Sequence, residues 1–330
     1  MKSELFLTCF ENGIARAAGD GNGGWSVELL ARDHRVSCLA ADPADARLLF
    51  AGTTDGVLRS DDGGLTWRAA GMAGKVVKSL AVSPHDGDVV YAGTKPARIF
   101  DSRDGGHTWR EQESFRRIPN RWWWFSPAEP PDLRAYVIAI APSPTEPGVL
   151  LAGVEFGAVV RSEDGGETWS RHRSGSLRDC HSLKFHAADG GWVYEAGGTG
   201  GGAAYSRDGG RTFHKVREGL AKNYGIVCAA DPETPEQWYV CVARGPGEAY
   251  GASGKVYLYR TRDGAQWQPI GWQPHPLRAS ITALVTVPGA PGHLYAGLYN
   301  GDIWHSDDYG DSWAQMPFSF DGIWHSLLVL

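Results

Sequence analysis

The sequence predicts an all-β fold: a closed propeller of seven four-stranded antiparallel blades. Three observations carry this. One turn is spelled seven times along the 330 residues. Apolar runs of strand length flank each copy in a fixed order. The two ends of the chain supply complementary parts of one blade. Periods of about 40 residues built from short strands and tight turns are the mark of a propeller.

The turn comes first. Clear copies are "SDDGGLTW" from Ser60, "SRDGGHTW" from Ser102, "SEDGGETW" from Ser162, "SRDGGRTF" from Ser206 and "SDDYGDSW" from Ser306, with a shortened "TRDGAQW" from Thr261. Neighbouring copies stand 42, 60, 44, 55 and 45 residues apart. A degenerate "AGDGNGGW" ends at Trp25, 42 residues before Trp67. The two long spacings hold insertions, placed at about 111–134 and 243–255.

The strands follow. Before each copy lie two apolar runs joined by a short loop, as in "LLFAGTTDGVLRS", "VLLAGVEFGAVVRS" and "HLYAGLYNGDIWHS". Ahead of these is a further run that often ends in proline, as in "VVKSLAVSP" and "ITALVTVP". Three strands, the turn and a fourth strand make one blade. The segment "LFLTCFENGIARA" matches the second and third strands of a blade, and "GIWHSLLVL" matches a first strand. The C-terminal strand is therefore expected to complete the N-terminal blade, which removes exposed sheet edges. The whole of 1–330 reads as one propeller domain.

Composition limits function. Glycine (44) and tryptophan (14) are abundant, as tight turns and aromatic packing require. The net charge of -6 comes from 32 basic and 38 acidic residues, intermixed. That excludes the concentrated basic surface of a nucleic-acid binder. No run approaches the roughly 20 apolar residues of a membrane span. The "LFLTCF" run is too short for a leader. The five cysteines, Cys9, Cys38, Cys180, Cys228 and Cys241, are odd in number and form no CxxC. They read as buried thiols in a reducing cytoplasm. Nothing implies a cofactor.

The turn copies fit Ser/Thr-x-Asp-x-Gly-x-x-Trp/Phe, and here the chain resembles the Asp-box (bacterial neuraminidase repeat) propellers. That superfamily includes sialidases, xyloglucan-active glycoside hydrolases, sortilin-type receptors and the photosystem II assembly-factor family. The resemblance covers nearly the whole chain and speaks for fold more than activity. The aspartates Asp20, Asp62, Asp104, Asp164, Asp208, Asp263 and Asp308 read as structural acceptors of turn N–H groups. Gly64, Gly106, Gly166, Gly210 and Gly310 read as positive-φ positions, with Asn22 as substitute in the first copy. Trp67, Trp109, Trp169, Phe213, Trp267 and Trp313 read as packing between blades. A reaction needs one convergent site, and seven scattered copies do not form one.

The resemblance implies that binding occurs on the opposite face, around the central funnel. Both insertions, and the "GGTGGG" link from Gly197, fall in loops of that face. Aligning the innermost strands gives one column of Ser37, Lys78, Ile138, His181, Ile226, Thr282 and His325. Its neighbour is Val36, Val77, Val137, Cys180, Gly225, Ile281 and Trp324, which reads as blade-packing surface. Lys78, His181 and His325 are candidate acid–base groups or anion ligands; the alternative is a solvated polar channel. Arg35, Tyr136, Asp179, Tyr224 and Ser280 stand at the funnel mouth. Asp179 with His181 and His325 is a conceivable metal set, but the histidines come from separate blades, so no metal is assigned.

For glycoside hydrolysis two carboxylates must converge. Glu11, Asp55, Glu155, Asp179, Glu248 and Asp302 are the candidates, with Glu155 and Asp179 carried forward. Arg244 and Tyr299 join Arg35, Tyr136 and Tyr224 as candidate ligand contacts. "RWWWF" places Trp122, Trp123 and Trp124 in the first insertion, as one wall of the funnel or, in part, as a plug onto the ring. "FRRIPNR" resembles the sialidase Phe/Tyr-Arg-Ile-Pro motif through Arg117, Ile118 and Pro119. Arg116 replaces the aromatic and the motif follows the third turn copy rather than preceding the first, so a sialidase is disfavoured. The expected ligand is a small molecule, a sugar or sugar acid, in a hydrolase-like or lyase-like site. The alternative is a protein segment on a non-catalytic propeller.

Overall fold

The computed structural model describes residues 5–9, 12–198, 201–251, 253–264 and 266–330. Glu11 lies outside these residues, as do Thr199 and Gly200 of the glycine-rich link and Ala252 of the second insertion. The chain forms seven antiparallel sheets arranged as the blades of a propeller. In the first, Leu327–Val329 pairs with Leu5–Cys9, which pairs in turn with Ile14–Gly19 and Trp25–Leu30. The expected closure of the ring by the C-terminal strand is thus observed.

Blades 2 to 7 begin with innermost strands Val36–Ala41, Val76–Ser83, Val137–Pro142, Cys180–Phe185, Tyr224–Ala230 and Ile281–Val287. Each then runs outward in sequence order. Blade 4 departs from the expected four strands and has three. Its fourth segment does reach the sheet, since Ser170 N–H donates to the Arg161 carbonyl and Arg173 N–H to that of Val159. However, the Arg161 N–H is taken by the Ser170 hydroxyl at 3.1 Å, which replaces a ladder bond and breaks the regular pairing.

The second strands, such as Leu49–Thr53, Leu150–Val154 and Val193–Gly197, are buried along their whole length. They are sandwiched between neighbouring blades, which explains their unbroken apolar runs. The glycine in these runs has a packing reason. A Cβ on Gly93 would stand 2.7 Å from the Val137 side chain, and one on Gly153 would stand 2.5 Å from Cys180 Sγ. Val77, Val137, Cys180 and Ile281 are fully buried, so that column is the blade-packing surface. Trp324 is its exception, half-buried and facing the funnel.

The repeated turn closes on itself. In the third copy Ser102 Oγ donates to Asp104 Oδ1 at 2.8 Å and accepts the Gly106 N–H at 2.8 Å. Asp104 Oδ1 also accepts the Thr108 N–H at 2.8 Å, and Oδ2 accepts the Thr108 hydroxyl at 2.6 Å. The same set recurs around Asp62, Asp164, Asp208 and Asp308. Asp263 accepts the Thr261 hydroxyl and the Gln266 N–H, and Asp20 accepts the Asn22 and Gly24 N–H groups. The second glycines have φ near +80 to +96° as expected. Asn22 does not take that role: Gly21 and Gly23 on either side carry the positive φ instead.

Candidate functional site

The innermost strands share a defect that aims their side chains. In blades 2 to 7 the pairing with the second strand skips one residue, and the skipped residues are Ser37, Lys78, Ile138, His181, Ile226 and Thr282. These six are the first column of the sequence alignment. Such a β-bulge leaves one residue out of the ladder and redirects its side chain. In blade 1 the equivalent His325 has φ +60°, again off the regular strand. All seven line a funnel of about 790 Å³. Thr282 is nonetheless buried, its hydroxyl donating to the Ile323 carbonyl at 2.7 Å.

On one side of this funnel three groups converge. Glu155 begins the turn after the second strand of blade 4, its N–H bonded to the Tyr136 carbonyl. Asp179 directly precedes the innermost strand of blade 5, and His181 is that strand's bulged residue. His181 Nε2 lies 3.4 Å from Asp179 Oδ1 and 3.9 Å from Glu155 Oε2. Its Nδ1 meets the Gly225 carbonyl of blade 6 at 2.7 Å. A carbonyl only accepts, so Nδ1 carries the hydrogen and Nε2 faces the carboxylates. Gly198 backs the group: a Cβ there would collide with Asp179 Oδ2 and stand 3.0 Å from His181 Cε1.

Burial sets the electrostatics. It raises the Glu155 carboxyl to about 7; the His181 charge opposes this and the Asp179 charge adds to it. Burial disfavours the charged form of His181, but the adjacent Asp179 carboxylate and the charge of Glu155 outweigh that and raise its pKa. Tyr136, Tyr224 and Tyr250 are pushed up by burial and by the neighbouring carboxylates, so they are hydroxyl donors at neutral pH. The Tyr224 ring lies 5.0 Å from that of His181.

The other candidates are placed separately. Lys78 Nζ pairs with Glu129 Oε1 at 2.6 Å, and the buried Lys95 takes the other oxygen at 2.8 Å. Lys78 is thereby held over the Tyr136 ring rather than joined to His181. His325 sits deep in the ring, where burial and then the His181 and Lys78 charges depress its pKa to about 4. Its surface is open to the channel, so water there offsets part of that depression. Arg35 and Tyr299 line the funnel. Arg244 and Asp55 are exposed and lie outside it, while Glu248 is half-buried in the short turn Pro246–Ala249. Asp302 is bonded by the Asn300 amide at 2.9 Å.

The tryptophans do not wall the funnel. Asn120 in the left-handed region opens a single helical turn, Arg121–Trp123, that carries them outward. Arg121 anchors this turn by donating to the Phe115 and Ala97 carbonyls at 2.8 and 2.6 Å. Trp122 and Trp123 stack at 4.2 Å and are 72% and 59% exposed. Trp124 instead packs on Phe115. Trp123 and Trp124 line a second cleft of about 550 Å³, with Phe156, His172 and Arg178. The insertion reaches the funnel through Ala128 and Glu129.

Sequence reasoning did not find Glu129, Tyr250 or Lys184. The first two lie in insertions without repeat partners. Lys184 projects into the funnel because the bulge at His181 shifts the inside–outside alternation after it.

No protein-family model matches the chain, and no curated protein sequence matches it. Solved structures do. The GH74 xyloglucanase from Xanthomonas campestris superposes with a TM-score of 0.73 at 20% identity, over 93% of this chain and 50% of that one. YCF48 bound to D1 peptide gives 0.59 at 15% identity, over 86% and 81%. The GH74 enzyme of Niastella koreensis gives 0.62 at 14%, over 98% and 66%. The chain thus spans about half the length of the first of these. At such identities the likenesses speak for the fold alone, and the chain is a seven-bladed β-propeller of the architecture these proteins share.

Proposed function

We propose that the chain is an Asp-box propeller whose ring works as one domain and binds a small polar, hydroxyl-rich ligand, a sugar or sugar acid, in the funnel. The observation that carries this reading is the convergence of Glu155, Asp179 and His181, with ligating atoms all within 4.8 Å, beside the hydroxyls of Tyr136, Tyr224 and Tyr250. Carboxylates and an imidazole pair with sugar hydroxyls, and tyrosine rings offer apolar faces to the pyranose. The same trio supplies groups for hydrolase-like chemistry. A lyase built on Lys78, His181 and His325 is less favoured, because Lys78 is engaged by Glu129.

The five cysteines are all unpaired thiols, which suits a reducing, cytoplasmic setting. Among the described residues no helix is long and apolar enough to cross a membrane.

The test is a thermal-unfolding screen against monosaccharides, oligosaccharides and sugar acids, repeated on Glu155→Gln, Asp179→Asn and His181→Ala. At least one compound is expected to raise the midpoint of the parent protein, and each substitution is expected to abolish that rise. A hit indifferent to all three substitutions removes the funnel from consideration.

A second reading, a protein-segment binder, is favoured by the exposed Trp122–Trp123 stack outside the funnel. Its mark would be peptide binding lost in Trp122→Ala and retained in Glu155→Gln.

A further inference from the structure

We propose that Glu155, Asp179 and His181 are the three protein ligands of a divalent transition-metal ion, with zinc the best fit and the remaining coordination open to the funnel. This deepens the preceding reading and rests on it in one respect: that the trio is the funnel's reactive centre.

The donor set is one nitrogen and two oxygens, which suits a borderline ion such as Zn²⁺. Nε2 to Oδ1 is 3.4 Å and Nε2 to Oε2 is 3.9 Å. Donors about 2.0 Å from a tetrahedral zinc stand roughly 3.3 Å apart, so small side-chain rotations bring all three onto one ion.

The imidazole is prepared for this role from outside the trio. Its Nδ1–H is committed to the Gly225 carbonyl at 2.7 Å, which leaves Nε2 directed at two carboxylates. A metal-binding histidine is held this way, by a backbone carbonyl on its far nitrogen.

Glu155 provides the independent observation. Its side chain is only 6% exposed and aims at Nε2, yet no hydrogen bond reaches its carboxylate among the described residues. Its carboxylate therefore offers lone pairs that no hydrogen-bond donor of the described residues fills, between His181 and the open funnel. The nearby lysines Lys78 and Lys95 do not answer it, because Glu129 holds both.

Three ligands from two neighbouring blades also leave the ion open on the funnel side. That is the pattern of a working metal site rather than a structural one, which closes its coordination with a fourth side chain. A hydroxyl or carboxylate oxygen of the ligand, or a water whose pKa the ion lowers, would take the open place.

The experiment uses the full chain after chelator treatment and dialysis, titrated with ZnCl₂ by calorimetry and with CoCl₂ by visible absorption. One ion per chain is expected, with d–d bands of a low-symmetry nitrogen–oxygen site and no thiolate charge-transfer band. Asp179→Asn and His181→Ala are each expected to weaken zinc binding at least tenfold. His305→Ala is expected to leave it unchanged, which separates this site from the His293–His305 contact at 3.0 Å. Should either funnel variant fail to fold, the cobalt spectrum of Glu155→Gln against the parent decides in its place. Absence of one-to-one binding in the parent chain overturns the proposal, as does a cobalt thiolate band or zinc affinity indifferent to the funnel variants. A sugar hit in a parent chain that binds no metal one-to-one would sink this proposal and spare the ligand reading; one-to-one metal binding without any sugar hit would do the reverse.

Discussion

Glu195 offers the sharpest test of the energetics. It lies in the second strand of blade 5 and is completely buried. Oε2 accepts the Leu177 N–H at 2.9 Å, while Oε1 has no hydrogen-bond partner. Burial lifts its carboxyl from the ordinary 4.5 to about 8; the Leu177 bond and then Lys215 pull the other way. The acid is therefore neutral in the folded chain at pH 7 and ionised in the unfolded chain. Because the folded form holds the extra proton, stability falls as pH rises above 4.5 and levels off past about 8. Each pH unit between those values costs about 1.4 kcal/mol, so the whole fall is roughly 5 kcal/mol and the part reached at pH 7 is roughly 3. Glu195→Gln keeps the shape of the neutral acid and cannot ionise. It is expected to match the parent near pH 4.5 and to exceed it by about 3 kcal/mol at pH 7. Urea unfolding at pH 5, 7 and 9 measures this directly. Parallel stability curves for the two proteins would refute the reasoning.

Three further outcomes follow from the geometry. Asp208→Ala removes the acceptor of the Thr212 N–H and hydroxyl and of the Ser206 hydroxyl; allowing for its partial exposure, it should cost about 1–2 kcal/mol in urea unfolding. The same bonds hold its carboxyl below the ordinary range against the opposing effect of burial, so that contribution is present at neutral pH and fades as pH drops through the depressed value. Trp124→Ala should cost about 2 kcal/mol, whereas Trp122→Ala should change stability by less than about 0.5, because only Trp124 packs on the ring. Gly198→Ala should fold yet lose every funnel ligand, since its Cβ would displace Asp179 and His181; binding equal to that of the parent would contradict the placement of those side chains.

The ring was readable because its signal is repeated. The copies from Asp20 to Trp313 restate one bonding pattern in whole or in part, and seven weak signals in register make a strong one. Even the channel column from Ser37 to His325 emerged from aligning those repeats. The bulge that makes it a channel column did not, since one skipped residue leaves no mark in composition. The site was readable as a set of parts. Glu155, Asp179 and His181 were each singled out, but their meeting depends on the turn at Phe156 and Ala158, both at positive φ, and on the His181 bulge. The sequence offers Trp122 to Trp124 as a funnel wall, because the insertion belongs to that face, or in part as a plug onto the ring, and only Trp124 takes the second role. Their outward aim follows from Asn120 and the Arg121 anchors, which have no counterpart in the other blades to compare with.

The bulges also bear on how such a ring can change. A residue outside the ladder can be replaced without disturbing the pairing on either side of it. The propeller therefore carries a circle of replaceable positions at its axis, one per blade, insulated from the framework that holds them. Two of them, Ile138 and Ile226, now bear no polar group. A substitution such as Ile138→Asp, at the half-buried one of the two, would add a carboxylate to the circle while its strand keeps its register. New chemistry could be written into this funnel one blade at a time, with the cost in folding confined to a single side chain.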